Sequence, residues 1–184
     1  MDEKHMQLLK DWNAKHRVSL EVDSIMADVL TPIIKIFNRR HGTNYTLDGV
    51  NGTPRWSTAN IHADEFLPNY YIPAWQNHHR EIPVLVDRGL LSGAHRHYKI
   101  DIVSSRSDAT VEPLKLWLSE NGIGFRKRLV TEPGLDKCAL DYRLYIDDDS
   151  KLAEKVENAQ ANWKGTSKTM LLVDMFNNRE VRDS

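Results

Sequence analysis

The sequence predicts an α/β protein, a parallel sheet with helices on both faces, and three observations carry that expectation. An apolar run ends in polar or acidic residues and gives way to a helix-spaced pattern three times: after Val22, after Val103 and after Ile146. That alternation is the signature of strands joined by crossover helices. Between the first and second units lies a stretch, 43–83, with no clean period and many Gly, Pro, Asn and aromatic residues. It is too long for an ordinary loop and reads as a small helical cap inserted after the first strand.

Taken in order, residues 1–16 form an N-terminal extension in which Leu8, Leu9 and Trp12 are spaced for a short amphipathic helix. The core is expected over 17–42 and 84–184. Its first strand runs from about Arg17 to Val22, and apolar residues at 26, 29, 30, 33, 34 and 37 then mark a helix face that stops at His41-Gly42. Pro32 either begins that helix or kinks one already under way. In the insert, Tyr45, Trp56, Phe66, Tyr70, Tyr71 and Trp75 are candidates either for a small apolar core or for stacking on a planar ligand. A second strand, Tyr98–Val103, leads into Ser104-Ser105-Arg106-Ser107-Asp108 and a helix ending at Asn121-Gly122. A short strand over about 125–130, a Pro133-Gly134 turn and Lys137 precede Leu144-Tyr145-Ile146-Asp147-Asp148-Asp149. A helix over about 150–161 and a strand over about 169–173 close the pattern.

Composition narrows the function. With 184 residues the chain suits one domain, and 40% hydrophobic with 28% charged residues is the balance of a globular protein. No apolar run approaches the roughly 20 residues of a membrane span, and the polar start shows no secretory signal, so the cytoplasm is the expected compartment. A formal net charge of −1 argues against nucleic acid as a partner, and a single cysteine, Cys138, suits a reducing environment. Small ligands are favoured. The oligomeric state stays open, a homodimer included.

Chemistry concentrates at the strand ends. Glu21 and Asp23, one residue apart at the end of an extended run, project to one side of a sheet edge, where open α/β sheets bind ligands. Alone, such a pair is commonly a solvated strand end. Here Ser104 and Ser105, then Asp147 and Asp148, end further strands of the same sheet, with Lys137 nearby. Carboxylates with water suit Mg²⁺, and a divalent ion beside an ammonium suits a phosphoryl group.

In these segments the chain resembles the haloacid dehalogenase superfamily of phosphohydrolases, and within it the 5′(3′)-deoxyribonucleotidase-like branch, over about 17–178. The family's D-x-D-x-x-x-A-D motif is similar to Glu21-Val22-Asp23-Ser24-Ile25-Met26-Ala27-Asp28, its second motif to Ile100–Arg106, its lysine to Lys137 and its acidic pair to Asp147-Asp148. Leu171–Asn177 resembles a late segment of that branch, and the insert sits where the family's helical cap lies. The resemblance implies a Rossmann-like core, Mg²⁺ held by Glu21, Asp23, Asp147 and Asp148, and a phosphorylated substrate such as a nucleoside monophosphate. It implies Asp23 as general acid/base and a phosphate held by Ser104 and Lys137, with Ser105, Arg106, Trp56, Tyr70 and Tyr71 in reach of substrate. The family's nucleophile is aspartate, whereas this chain has Glu21. One extra methylene displaces the oxygens by roughly 1 Å, enough to cost about 10²-fold where in-line geometry matters. The expected function is therefore a phosphatase of low or altered activity, the alternatives being a relative that binds a phosphorylated ligand or partner without turnover, or one that uses the site for chemistry other than phosphate hydrolysis.

Other signals are weaker. His78-His79 and His95-x-His97 lack zinc-site spacing. Cys138 reads as a packed thiol. Asp101 within a strand calls for either an edge position or a pairing with Arg106.

Overall fold

The computed structural model describes residues 17–46, 63–124, 129–162 and 168–173. The expected extension, Trp56, the first half of the third strand and the end of the Leu171–Asn177 segment lie outside the described residues. Five parallel strands run in the order β3-β2-β1-β4-β5: β1 (Arg17–Leu20), β2 (Lys99–Ser104), β3 (Leu129–Thr131), β4 (Leu144–Asp147) and β5 (Thr169–Leu172). β1 ends two residues earlier than the pattern predicts, although the Glu21 amide still donates to Ile146 O at 3.0 Å. β1 is thus central, and the residues after it emerge between the ends of β2 and β4.

The helices are α1 (Leu30–His41), α2 (Ala63–Phe66), α3 (Ile72–His78), α4 (Arg88–Ala94), α5 (Val111–Glu120) and α6 (Ser150–Asn162). α1 begins at Leu30, so Pro32 falls in its first turn, where a missing N–H costs nothing. Asp28, last residue of the acidic motif, accepts from Thr31 N at 3.1 Å and from the Thr31 hydroxyl at 2.6 Å, satisfying an amide at the helix start. The chain reaches α1 through Ser24, whose φ of 68° is left-handed; Met26 N then donates back to Val22 O at 2.8 Å. α4 was not marked by the sequence. It is short, and its two glycines interrupt any apolar face.

Alternating side chains feed two apolar layers. Leu20 and Ile102 pack with α1, α3 and α5 through Ile33, Phe37, Trp75, Leu114 and Trp117, while Val103 and Tyr145 pack with α6 through Leu152 and Val156. The described helices of the insert share the first layer: Trp75 lies edge-on to Trp117 at 6.0 Å between ring centroids, and Trp117 Nε1 donates to Ile82 O at 3.0 Å. Asp101 proves to have neither of its expected explanations. β2 is an interior strand, and Asp101 pairs with Arg17 at 3.2 Å and accepts from the Tyr142 hydroxyl at 2.9 Å, because register puts Arg17 at the neighbouring strand's start.

Candidate functional site

Parallel strands deliver their C-terminal residues to one edge, and here that edge gathers Glu21 and Asp23 after β1, Ser104 and Arg106 at and after β2, and Asp147 and Asp148 at and after β4. Lys137, first residue of a 3₁₀ turn (Lys137–Ala139) between β3 and β4, reaches in from the side. Its ammonium donates to Asp147 Oδ2 at 2.6 Å and to Glu21 Oε2. The Ser104 hydroxyl donates to Glu21 Oε1 at 2.6 Å.

Glu21 also curls onto its own backbone. Its Oε1 accepts from Val22 N at 2.7 Å and lies 3.4 Å from Asp23 N. The extra methylene is absorbed by this fold-back, so the carboxylate stays over the strand end instead of projecting past it. Asp23 is held differently. Its Oδ2 accepts from the Tyr71 hydroxyl at 2.6 Å and from Arg106 Nη2 at 3.0 Å. Arg106 in turn donates from Nε to Ser104 Oγ at 3.2 Å and rests over the Trp75 ring, 4.6 Å from its centroid.

Of the residues expected to bind substrate, Tyr71 reaches the site with its hydroxyl and Arg106 with its guanidinium, while Ser105 is exposed beside them. Tyr70 is a packing residue: it is buried, its hydroxyl is 2.8 Å from His41 Nε2, and its ring lies 5.6 Å from that of Phe37. Trp75 is wholly buried as the shelf beneath Arg106 and has no face left for a ligand. Sequence reasoning missed both the Arg106–Asp23 pair and this aromatic shelf. The one usable signal was an arginine two residues past a strand end that faces an acid.

Four carboxylates share the edge with two cations, so with all four ionised two negative charges are unbalanced. Burial pushes the Asp23 carboxyl up against the pull of Arg106, with Glu21 adding repulsion. Burial and Glu21 likewise raise Asp147 despite Lys137. Asp148 is pushed up to about 6 by burial and by Asp147 and Glu21. Glu21 goes the other way: burial would raise it, but the Lys137 ammonium and the hydrogen bonds of Lys137 and Ser104 hold it below the usual range. Lys137, penalised by burial, keeps its proton more tightly than in water because Glu21 and Asp147 face it.

The donor set suits a divalent cation in charge and in kind, being oxygen-rich and, with all four acids ionised, two charges too negative, with Asp23 Oδ1 buried and without a hydrogen-bond partner among the described residues. Among the described residues no three His, Cys, Asp or Glu side chains are grouped to hold a metal by themselves. The compatible ion is one that takes one or two carboxylates and keeps waters, as Mg²⁺ does. Such an ion would be held by one or two of Glu21, Asp23, Asp147 and Asp148, with water completing its shell.

Comparison with proteins of known structure gives the architecture a precedent. Phosphatase Tt82 from Thermococcus thioreducens superposes with a TM-score of 0.51 at 15% identity, over 85% of this chain and 92% of that one. The two chains share a fold. No protein-family model matches the sequence, and no curated protein matches it. Among the described residues no helix is long and apolar enough to cross a membrane.

Proposed function

We propose that this chain is a phosphohydrolase of the haloacid dehalogenase type, working with Mg²⁺ on a small phosphate ester such as a nucleoside monophosphate. The observation that carries the reading is the convergence of Glu21, Ser104, Lys137 and Asp147, from four separate segments, into one hydrogen-bonded cluster at the sheet edge. In this reading a Glu21 oxygen attacks phosphorus as the ester P–O bond breaks. Asp23 gives its proton to the leaving oxygen, then takes one from the water that releases phosphate. Ser104 and Lys137 hold the phosphoryl oxygens. Mg²⁺, when bound, offsets the negative charge that phosphate adds to a site already rich in carboxylates.

A second reading, ligand binding without turnover, draws on Glu21 itself. Its Oε1 accepts from Ser104 and Val22 N and its Oε2 from Lys137, which leaves one Oε2 lone pair for attack and draws its electron density toward the ammonium. Steady-state hydrolysis of deoxynucleotides, base-free sugar phosphates and an aryl phosphate with Mg²⁺, by wild type and Glu21→Asp, separates the two. The phosphatase reading expects slow wild-type turnover and a rise of about tenfold or more in Glu21→Asp, at least 1.4 kcal/mol of barrier. Wild-type turnover of about 1 s⁻¹ or faster would show Glu21 to be a competent nucleophile. Two folded, Mg²⁺-binding but inactive proteins would leave the binding reading.

A further inference from the structure

Lys168, immediately before β5, belongs to none of the motifs above, yet the residue is only 8% exposed. Its ammonium donates to the carbonyl oxygens of Cys138 at 2.6 Å and Leu140 at 3.0 Å, and to the Tyr145 hydroxyl at 3.3 Å. A compact ammonium with three rotatable donors suits three such acceptors. Two of them belong to one short piece of chain, the 3₁₀ turn that starts with Lys137 and the residue after it. The third closes the same arrangement, because the Tyr145 hydroxyl donates to Leu140 O at 2.8 Å, and Tyr142 N reaches that oxygen at 3.0 Å.

Elsewhere the turn is held by Cys138 and Leu140, which pack against the layer of Val103, Tyr142 and Tyr145, and by the ion pairs of Lys137 itself. Its own backbone bonds are Ala139 N to Asp136 O at 3.1 Å and Leu140 N to Lys137 O at 3.0 Å. A single 3₁₀ turn has poor hydrogen-bond geometry and no cooperative length. Its first residue must nevertheless deliver an ammonium between Glu21 and Asp147, and functional groups tolerate only about 0.5 Å of misplacement. Removing Lys168 would leave the Cys138 carbonyl without that donor and Leu140 O with only its bonds from Tyr142 and Tyr145, loosening the turn that carries Lys137.

We infer that Lys168 is a positioning residue, whose ammonium clasps the 138–140 carbonyls and thereby sets Lys137 against Glu21 and Asp147. The claim about placement stands on the turn; its enzymatic consequence rests on the phosphohydrolase reading.

The test is NMR of the lysine ammonium groups in ¹⁵N-lysine-labelled protein, with the Lys137 signal assigned by its loss in Lys137→Met. Buried, hydrogen-bonded ammonium groups exchange slowly enough with water to be observed. Lys168→Met should displace or broaden the Lys137 signal while the backbone amides of β1 and β2 stay in place. A Lys137 signal unmoved within its linewidth overturns the inference. Should Lys168→Met fail to fold, Lys168→Gln, which keeps a donor but loses charge and reach, is read by the same criterion. Hydrolysis separates the two readings: if any form turns over, Lys168→Met should lower its kcat/KM by about tenfold or more. A protein without activity in every form counts against the phosphohydrolase, while the ammonium signal still decides the role of Lys168.

Discussion

Lys137→Met keeps the stem of the side chain and deletes only the ammonium, so its cost can be worked from the cluster. Asp147 Oδ2 loses a donor at 2.6 Å and Glu21 Oε2 loses its ammonium, with both carboxylates less than a tenth exposed. Removing one member of a buried ion pair costs about 3–5 kcal/mol, because the remaining charge is left uncompensated. For a chain of this size each kcal/mol moves Tm by about 2–4 °C, so a fall of roughly 6–20 °C is expected at pH 7.5. The pH dependence follows from the sign of the shift. Without the ammonium, Glu21 and Asp147 both titrate above their ordinary carboxylate values, so the folded variant binds protons that the unfolded chain releases. The deficit is full above those folded values and shrinks as pH falls through them. Differential scanning calorimetry of both proteins in EDTA at pH 7.5 and 5 measures it. A variant within about 2 °C of wild type at pH 7.5, or a deficit independent of pH, would refute the reasoning.

Further outcomes follow from the same cluster. Mg²⁺ at about a hundredfold excess over its Kd should stabilise the wild type by about 2.7 kcal/mol, and Asp147→Asn should abolish most of that shift in a thermal melt. Asp148, raised to about 6, is destabilising above that pH and the loss is recovered as pH falls toward 4. Asp148→Asn should therefore gain about 1–2 kcal/mol at pH 7.5 in EDTA, a two-unit shift discounted for partial exposure, and its urea midpoint should vary less between pH 7.5 and 5 than that of wild type. Tyr71→Phe removes one of two donors to Asp23 Oδ2 and should cost about 1–2 kcal/mol in urea unfolding; an unchanged midpoint would show Arg106 alone to be sufficient.

The legible parts of the molecule are those written in local pattern. Period-two and helix-spaced runs located all five strands and the helices α1, α5 and α6, and strand ends in a parallel sheet share an edge whatever the details, so Glu21, Asp23, Ser104 and Asp147 could be gathered before any coordinates. What local pattern does not carry is pairing across the chain. Asp101 meets Arg17 instead of Arg106 through inter-strand register, and Tyr71 meets Asp23 because the insert packs into the main apolar layer. An aromatic residue looks the same in sequence whether it faces a ligand or, like Trp75, lies under an arginine. α4, with its glycines and seven residues, was below what periodicity can detect. Lys168 left no signal, since two of the acceptors it clasps are backbone carbonyls, which every residue has.

The central position of β1 has a kinetic corollary. Glu21 is joined to Ser104 and Lys137 across 83 and 116 positions of chain. Closing such loops is entropically slow and precedes any reward from the contacts made. The cluster therefore cannot preorganise in a fragment or an early collapsed state. Until β2 and β4 have both docked on β1, Glu21 is an ordinary solvated carboxylate with no ammonium beside it. A ligand that recognises the assembled edge binds only chains that have completed this search, and a refolding experiment that follows ligand binding should lag one that follows helix formation.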